Sequence, residues 1–435
     1  MSSIMQIIAD PPRNTWDELL ARPLLNSDVL EESVKKILEE VRREGDSAIR
    51  SLTARFDGVD IPVSRVAPAE FEQADARLSS DTKKAIDIAI ANITRFHKAQ
   101  IPAEIRVETT PGVQCWQKCV PIQRVGLYVP GGSAPLFSTV LMLGIPARLA
   151  GCERIVLCTP PGKDTAVHPA ILYSAKAIGI AEVYKIGGVQ AIAAMGYGTE
   201  TVPAVNKIFG PGNQYVTIAK QIVSRQGVAI DLPAGPSEVM VIADETAIPS
   251  FVASDLLAQA EHGPDSQVIL ITTRPEIVQP VLSELHTQLA ALPRKKIAEQ
   301  SLSASKIIVV KDNQTLMEMV NEYAPEHLII AARDAENLAK QVLNAGSVFI
   351  GNYSPESAGD YASGTNHTLP TYGYARVSGG VNMDSFLKKI TFQELSEFGL
   401  RNLGPAVMNM AAVEELEGHR NAVKVRFDYL SKKQS

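Results

Sequence analysis

The sequence predicts an α/β protein with two α/β/α lobes, mainly parallel sheets, an N-terminal helical segment and a small helical C-terminal tail. Three observations lead there. From about Gln123 onward, β-rich runs alternate with segments of helical pattern, the mark of parallel sheets covered on both faces. A second series of the same make follows AIDLPAGPSE. At 435 residues the chain is also too long for one compact core. The expected organisation is a helical segment over 1–120, a first lobe over 121–236, a second over 237–380 and a tail over 381–435.

The first hundred residues read mainly as helix. Ser27 can cap a segment in which Val29, Val34, Ile37, Leu38 and Val41 form one stripe and Gly45 marks the end. A second helix fits Ser79 to Gln100, with His97 on its exposed side. In the first lobe, RVGLYV, CERIVLC, AEVYKIGG and VNKIFG are strands, and VQAIAAMGYG and QYVTIAKQIVSR are helices among them. In the second, VMVIAD, SQVILITT, SKIIVVK and SVFIGN are strands, with SFVASDLLAQAEH the first helix between them. The tail reads as helical. Thr391 and Glu394 form a capping-box pattern, Pro405 suits a first helical turn, and Gly418 can close that helix.

Composition narrows the function. Hydrophobic residues are 45% and charged residues 21%, ordinary for a globular protein. A net charge of −6 argues against a nucleic-acid surface. The most apolar stretch, FSTVLMLGIPARLAG, is broken by Pro146 and Arg148 and is too short to span a bilayer. The start lacks the basic region and apolar run of a signal peptide, so the expected location is the cytoplasm. Cys115, Cys119, Cys152 and Cys158 form no CxxC pair, which argues against structural zinc and against a disulfide framework.

The chemistry concentrates in four polar clusters. They hold Gln259 and His262, Glu326 and His327, Asp360 and His367, and Glu414 and His419. Imidazole beside carboxylate serves divalent metals and proton transfer near neutral pH. Each cluster also has a plain structural reading. His262 can end a helix and complement its dipole. Glu326 and His327 can form a surface turn, and they point to opposite faces of an extended chain. The stretch from Ser354 to Tyr374 can be a surface loop, although Tyr361, Tyr372 and Tyr374 weaken that view. Glu414 and His419 can be a solvated helix end. The helix ending at His262 points away from the strand ends where α/β proteins usually bind ligands, so a site there must assemble between lobes. Three turns, VPGGSAPLF, IGGVQAIAAMGYG and FGPGNQYV, place glycines where backbone N–H groups can hold phosphate, but there is no GxGxxG.

Several of these stretches together resemble the histidinol dehydrogenase family. The strongest is AIDLPAGPSEVMVIADETAIPSFVASDLLAQAEHGPDSQ, and GLYVPGGSAPLFSTVLMLGIPA, KIFGPGNQYVTIAK, YAPEHLII and SPESAGDYASGTNHTLPT are similar to further family blocks. The resemblance implies Rossmann-like lobes and the oxidation of L-histidinol through L-histidinal to L-histidine, using two NAD+ and one Zn2+. It implies zinc ligation by Gln259, His262, Asp360 and His419, and acid–base work by Glu326 and His327. Ser237, His367 and Glu414 would contact substrate, together with the ligands and the acid–base pair. Tyr128, Gln190 and Asn213 would contact NAD+. It also implies a homodimer whose C-terminal tail completes the partner's site. Three rivals remain: a zinc hydrolase with Glu326 as base, a non-catalytic two-lobed binding protein, and an aldehyde dehydrogenase using Cys152 as nucleophile.

Overall fold

The computed structural model describes residues 4–22, 27–131, 134–232 and 235–433. The Ser27 cap and the Val29 side chain lie outside the described residues, as does part of the first glycine turn, Gly132 and Ser133. The chain divides into two units, residues 1–100 with 122–386 and residues 101–121 with 387–435.

Fourteen strands are described. In chain order they are β1 (Gln6–Ala9), β2 (Ile105–Thr110), β3 (Val113–Pro121), β4 (Arg124–Tyr128), β5 (Arg154–Thr159), β6 (Glu182–Lys185) and β7 (Lys207–Phe209). There follow β8 (Ala229–Ile230), β9 (Glu238–Ala243), β10 (Gln267–Thr272), β11 (Lys306–Val309), β12 (His327–Ala331), β13 (Ser347–Ile350) and β14 (Leu387–Leu395).

The first unit holds two parallel sheets. One has the order β6-β5-β4-β7-β8. Its order reverses between β4 and β7, the switch point where open α/β sheets bind ligands. At that point a Cβ on Gly210, just after β7, would collide with the carbonyl of Tyr128 at the end of β4. Gly210 also has φ +126°, so both space and conformation demand glycine. Helix Phe137–Ala150 is buried from Ser138 to Ala147, which is why it lacks a polar stripe and tolerates Pro146 inside it. Val34, Leu38 and Val41 of helix Ser27–Glu44 pack on a different core, with Tyr128, Val156 and Ile192, as their stripe predicts, and Gly45 follows the helix with φ +55°.

The other sheet has the order β1-β11-β10-β9-β12-β13, also parallel. β9 and β10 are buried along their whole length, as central parallel strands must be. β1 departs from the mainly helical reading of the first hundred residues. QIIA is too short to show periodicity, and its pairing with β11 decides its state. In this sheet Glu238, Gln267 and His327 are all first residues of their strands, so the amino ends of β9, β10 and β12 lie level.

His97 is a second correction. It is 0% exposed, not on the open side of its helix Ser80–Lys98. Its Nδ1 donates to the Ile93 carbonyl at 2.9 Å and its Nε2 accepts from Asn366 at 3.2 Å. Long-range pairing satisfied a polar residue that local pattern assigned to solvent.

The second unit is an antiparallel sheet, β14-β3-β2, with two helices. The capping box expected at Thr391 and Glu394 does not form, because both lie in β14 opposite Gln117 and Gln114. Trp116 and Phe392 stack across that pair at 5.3 Å, a cross-strand contact that outweighs the local signal. The helix expected to start at Pro405 runs instead over Glu397–Val413, capped by Ser396, with Pro405 inside. Gly418 does not end it but lies in the next helix, Glu417–Lys432.

Candidate active site

The amino ends of β9 and β12 and the helix Glu356–Tyr361 converge on a cluster of buried ionisable groups. His327 opens β12, and its side chain is 4% exposed. Its Nδ1 lies 3.2 Å from the Glu238 carbonyl and 3.6 Å from a Glu326 oxygen. Its Nε2 is buried, has no hydrogen-bond partner, and lies 3.7 Å from Asp360 Oδ1. Burial opposes the imidazolium, but the carboxylates of Glu356, Glu326 and Asp360 outweigh it and hold the pKa well above the ordinary imidazole value. The same proton keeps the Asp360 carboxyl below its usual range against the effect of burial.

Glu326 is buried, which pushes its pKa up to about 8. Its Oε2 accepts from the Glu238 backbone N–H at 2.8 Å. Glu238 therefore serves both members of the Glu326–His327 pair through its backbone. Its side chain is held in turn by Arg22, at 2.5 and 2.8 Å, and by the Tyr372 N–H at 2.7 Å. Arg22 also stacks 4.1 Å from the centre of the Tyr323 ring.

Gln259, 0% exposed, satisfies its amide in one orientation. Its NH2 donates to Glu356 and its Oε1 accepts from the Glu238 N–H at 3.1 Å. Glu356 is 1% exposed, and burial raises its pKa to about 8. His262 Nδ1 lies 3.4 Å from Ser237 Oγ. The residue is exposed, yet desolvation by its surroundings lowers its pKa, with the Asp360 carboxylate opposing. His367 donates from Nδ1 to the Asp360 carbonyl at 2.9 Å, and its Nε2 lies 3.2 Å from the Thr139 hydroxyl. Thr139 belongs to helix Phe137–Ala150 beside the other sheet, so this contact spans the two sheets of the first unit.

The structure thus brings together Ser237, Gln259, His262, Glu326, His327, Asp360 and His367. Glu414 and His419 belong to the second unit, where both are exposed. Among the described residues, one group of imidazole and carboxylate donors has the spacing of a metal site, with the donor atoms of His327, Glu356 and Asp360 all within 4.8 Å of one another. It shares only Asp360 with the four ligands expected from the sequence.

Glu356 and the Arg22–Glu238 pair were missed by sequence reasoning. Glu356 had a signal, since it lies one helical turn before Asp360 and shares its face. Arg22 had none, being 216 positions from its partner. Cys152 is buried and its thiol is pushed up to about 11, so it stays protonated at neutral pH and is a poor nucleophile.

Tyr128, Gln190 and Asn213 share a cavity of 1080 Å³ in the first unit. The Tyr128 hydroxyl accepts from the Gly188 N–H at 3.0 Å, and burial raises its pKa to about 12. Asn213 caps helix Gln214–Ser224 through an acceptor bond from the Val216 N–H at 3.1 Å. Helices Gly188–Tyr197 and Gln214–Ser224 both begin at this cavity, which places two helix N-termini on it. The turn between them is braced by Asp231, which accepts from the Gly210 N–H at 2.7 Å, and by buried Lys220, which donates to the Gly210 carbonyl at 2.8 Å. Among the described residues no helix is long and apolar enough to cross a membrane.

Known proteins resemble this chain in sequence and in fold. A family model described as histidinol dehydrogenase matches residues 20–427. A histidinol dehydrogenase of Bacteroides thetaiotaomicron is 55% identical over 98% of this chain and 100% of its own length. That of Salmonella typhimurium is 52% identical over 95% of each. The crystal structure of histidinol dehydrogenase from Elizabethkingia anophelis superposes with a TM-score of 0.97 at 52% identity, covering 99% of this chain and 100% of that one. An acetylating aldehyde dehydrogenase from Geobacillus thermoglucosidasius, 14% identical with a TM-score of 0.50 over 88% of this chain and 96% of that one, shares the fold alone. With likeness of this degree over nearly its whole length, the chain belongs to the histidinol dehydrogenase family.

Proposed function

We propose that this protein oxidises L-histidinol through L-histidinal to L-histidine, the last step of histidine biosynthesis, with two NAD+ as hydride acceptors and one Zn2+ per subunit. The observation that carries the reading is the unpartnered, buried Nε2 of His327 facing Asp360, with a second proton-handling group, Glu326, adjoining it. Such an orphaned ring nitrogen calls for a partner from outside the chain.

The donor types present fit zinc, since imidazole, amide oxygen and carboxylate all serve as its ligands. Gln259, His262, Asp360 and His419 would hold it. Held by these residues, the metal would supply a Lewis acid for the nitrogen donors of the substrate and so help to orient the carbinol carbon. NAD+ would lie in the cavity of Tyr128, Gln190 and Asn213, in the lobe of residues 121–236, with zinc and substrate residues in the lobe of 237–380.

The chain's own residues move the protons. The Glu238 carbonyl accepts from Nδ1 of His327, which leaves Nε2 to receive the alcohol proton as hydride departs. Cationic ligands beside Asp360 and Glu356 would offset the field that now holds a proton on the ring, and would bring it into the range of a base. Glu326, with a pKa of about 8, assists water in adding to the aldehyde. The hydrate then loses a second hydride to NAD+ and a proton to His327, giving the carboxylic acid. Ser237, His367 and Glu414 contact the substrate. The protein would work in the cytoplasm as a homodimer in which Glu414 and His419 of the second unit complete the partner's site.

The test is NADH formation from L-histidinol, with and without a chelator, scored against histidine produced. Two NADH per histidine and loss of turnover on metal removal are expected. Histidinol binding without NAD+ reduction would reject the assignment.

A further inference from the structure

The cavity of Tyr128, Gln190 and Asn213 is walled by the carboxyl ends of β4 and β5 and by the turns that follow β6 and β7. In sheets of this order, a dinucleotide usually meets a carboxylate downstream of the first strand, which accepts from the adenosine ribose. From its last residue onward β5, the second strand of that series, reads Thr159-Pro160-Pro161-Gly162-Lys163 and offers no carboxylate. Asp164 comes next, but its Oδ1 accepts from the Ala166 N–H of its own loop at 3.3 Å.

A carboxylate reaches the cavity from elsewhere. Asp57 ends helix Asp46–Phe56 and lines the same cavity. It is tied to the loop after β5 by Lys163, whose Nζ donates to the Asp57 carbonyl at 3.0 Å. Asp57 Oδ2 is buried and has no hydrogen-bond partner. Desolvation pushes the carboxyl up, and the Lys163 ammonium only partly offsets that. Asp57 as a residue is half-buried on the cavity wall, and a small turn of its carboxylate would bring the oxygen that lacks a donor inside the chain to a ligand in the cavity.

We propose that Asp57 accepts a hydrogen bond from a ribose hydroxyl of the dinucleotide in this cavity, and so selects a free 2′-hydroxyl over a 2′-phosphate. The inference rests on the reading above that a dinucleotide occupies the cavity. A hydroxyl satisfies the carboxylate, whereas a phosphate in its place sets like charges against each other in a partly desolvated site.

The experiment is steady-state kinetics of the zinc-loaded enzyme with NAD+ and with NADP+, at saturating histidinol, for the wild type, Asp57→Asn and Asp57→Ala. The wild type should favour NAD+. Asp57→Asn should raise KM for NAD+ by about ten-fold or more, the worth of a hydrogen bond to a charged group. KM for histidinol should not move, and the NAD+/NADP+ ratio of kcat/KM should fall by at least about ten-fold. Asp57→Asn keeps the shape of the side chain and carries the test if Asp57→Ala does not fold. A wild type active with NAD+, beside an Asp57→Asn variant whose NAD+ KM and dinucleotide ratio stay within about two-fold, overturns this assignment alone. A wild type that reduces neither dinucleotide overturns the reading beneath it as well.

Discussion

The Nδ1 of His327 lies 3.2 Å from the carbonyl oxygen of Glu238, and that contact decides which ring nitrogen is left for the proposed proton transfer. A carbonyl can only accept, so Nδ1 carries a proton and the chemistry falls to Nε2. The register of β9 and β12 sets the contact, since His327 is paired with Val239, the neighbour of Glu238. In the proposed mechanism, replacing His327 with Ala removes the proton acceptor for both hydride transfers. Turnover of histidinol and of histidinal should each fall by roughly 10²–10⁴. Single-turnover NADH formation from each compound checks this, and full rates with either one would exclude His327 as the base for that step.

Glu326 is expected to separate the two oxidations. In the proposed mechanism its carboxyl, raised to about 8 by burial, would serve the addition of water and not the first hydride transfer. Glu326→Gln keeps the size of the side chain and can still accept from the Glu238 N–H, which now bonds Oε2 at 2.8 Å. Histidinal oxidation should slow by roughly 10² or more while the alcohol step is largely spared. Histidinal should then accumulate and be trapped by a carbonyl reagent. Equal slowing of both steps would point to a shared positioning role instead.

The parts of the fold that were legible in the sequence are those set by local pattern. Strands β4, β5, β9 and β10 read as apolar runs, and they are the buried central strands. The stripe of Val34, Leu38 and Val41 gave the helix that covers the first core. What was not legible depends on partners far along the chain. β14 carries a capping-box pattern but takes its state from Trp116, and His97 takes its burial from Asn366, 269 positions away. At the site, the imidazole and carboxylate clusters stood out because buried polar residues interrupt apolar runs. Glu356 was passed over for Asp360 although both share a helical face, and Arg22 is joined to Glu238 only by folding.

Arg22 should matter for stability and for the geometry of the site together. Its guanidinium spans both oxygens of Glu238, whose side chain is 2% exposed, and donates to the Tyr323 carbonyl at 2.7 Å. Arg22→Ala leaves that carboxylate buried without its counter-charge, a loss on the order of 3–5 kcal/mol. Arg22→Lys supplies charge but not the two-pronged geometry and should recover only part of it. Urea unfolding of the three proteins measures the order. A loss within about 0.5 kcal/mol for Arg22→Ala, the range of ordinary surface changes, would show that the pair is dispensable.

The pH dependence of stability should carry the signature of His97. Burial depresses its pKa below the ordinary 6.5, and the bond to the Ile93 carbonyl only partly opposes this. In the unfolded chain the ring returns to its ordinary value, so between the two pKa values the unfolded state binds more protons than the folded one. The contribution of a neutral His97 is therefore complete above about pH 6.5 and is lost as pH falls through the folded value. Buried carboxylates act in the opposite sense. Glu326 and Glu356, raised to about 8, favour the folded state at lower pH and lose that contribution as pH rises. They are common to the wild type and to a His97→Gln variant, so the difference between the two proteins isolates the imidazole. His97→Gln should be less stable at pH 7.5, because it disturbs the bonds to Ile93 and Asn366. The gap should narrow as pH is lowered below 6.5, since only the wild type has a ring to protonate. Urea midpoints taken from pH 5 to 8 read this directly. A gap that stays constant across the range would mean that the ring is not held neutral by the fold.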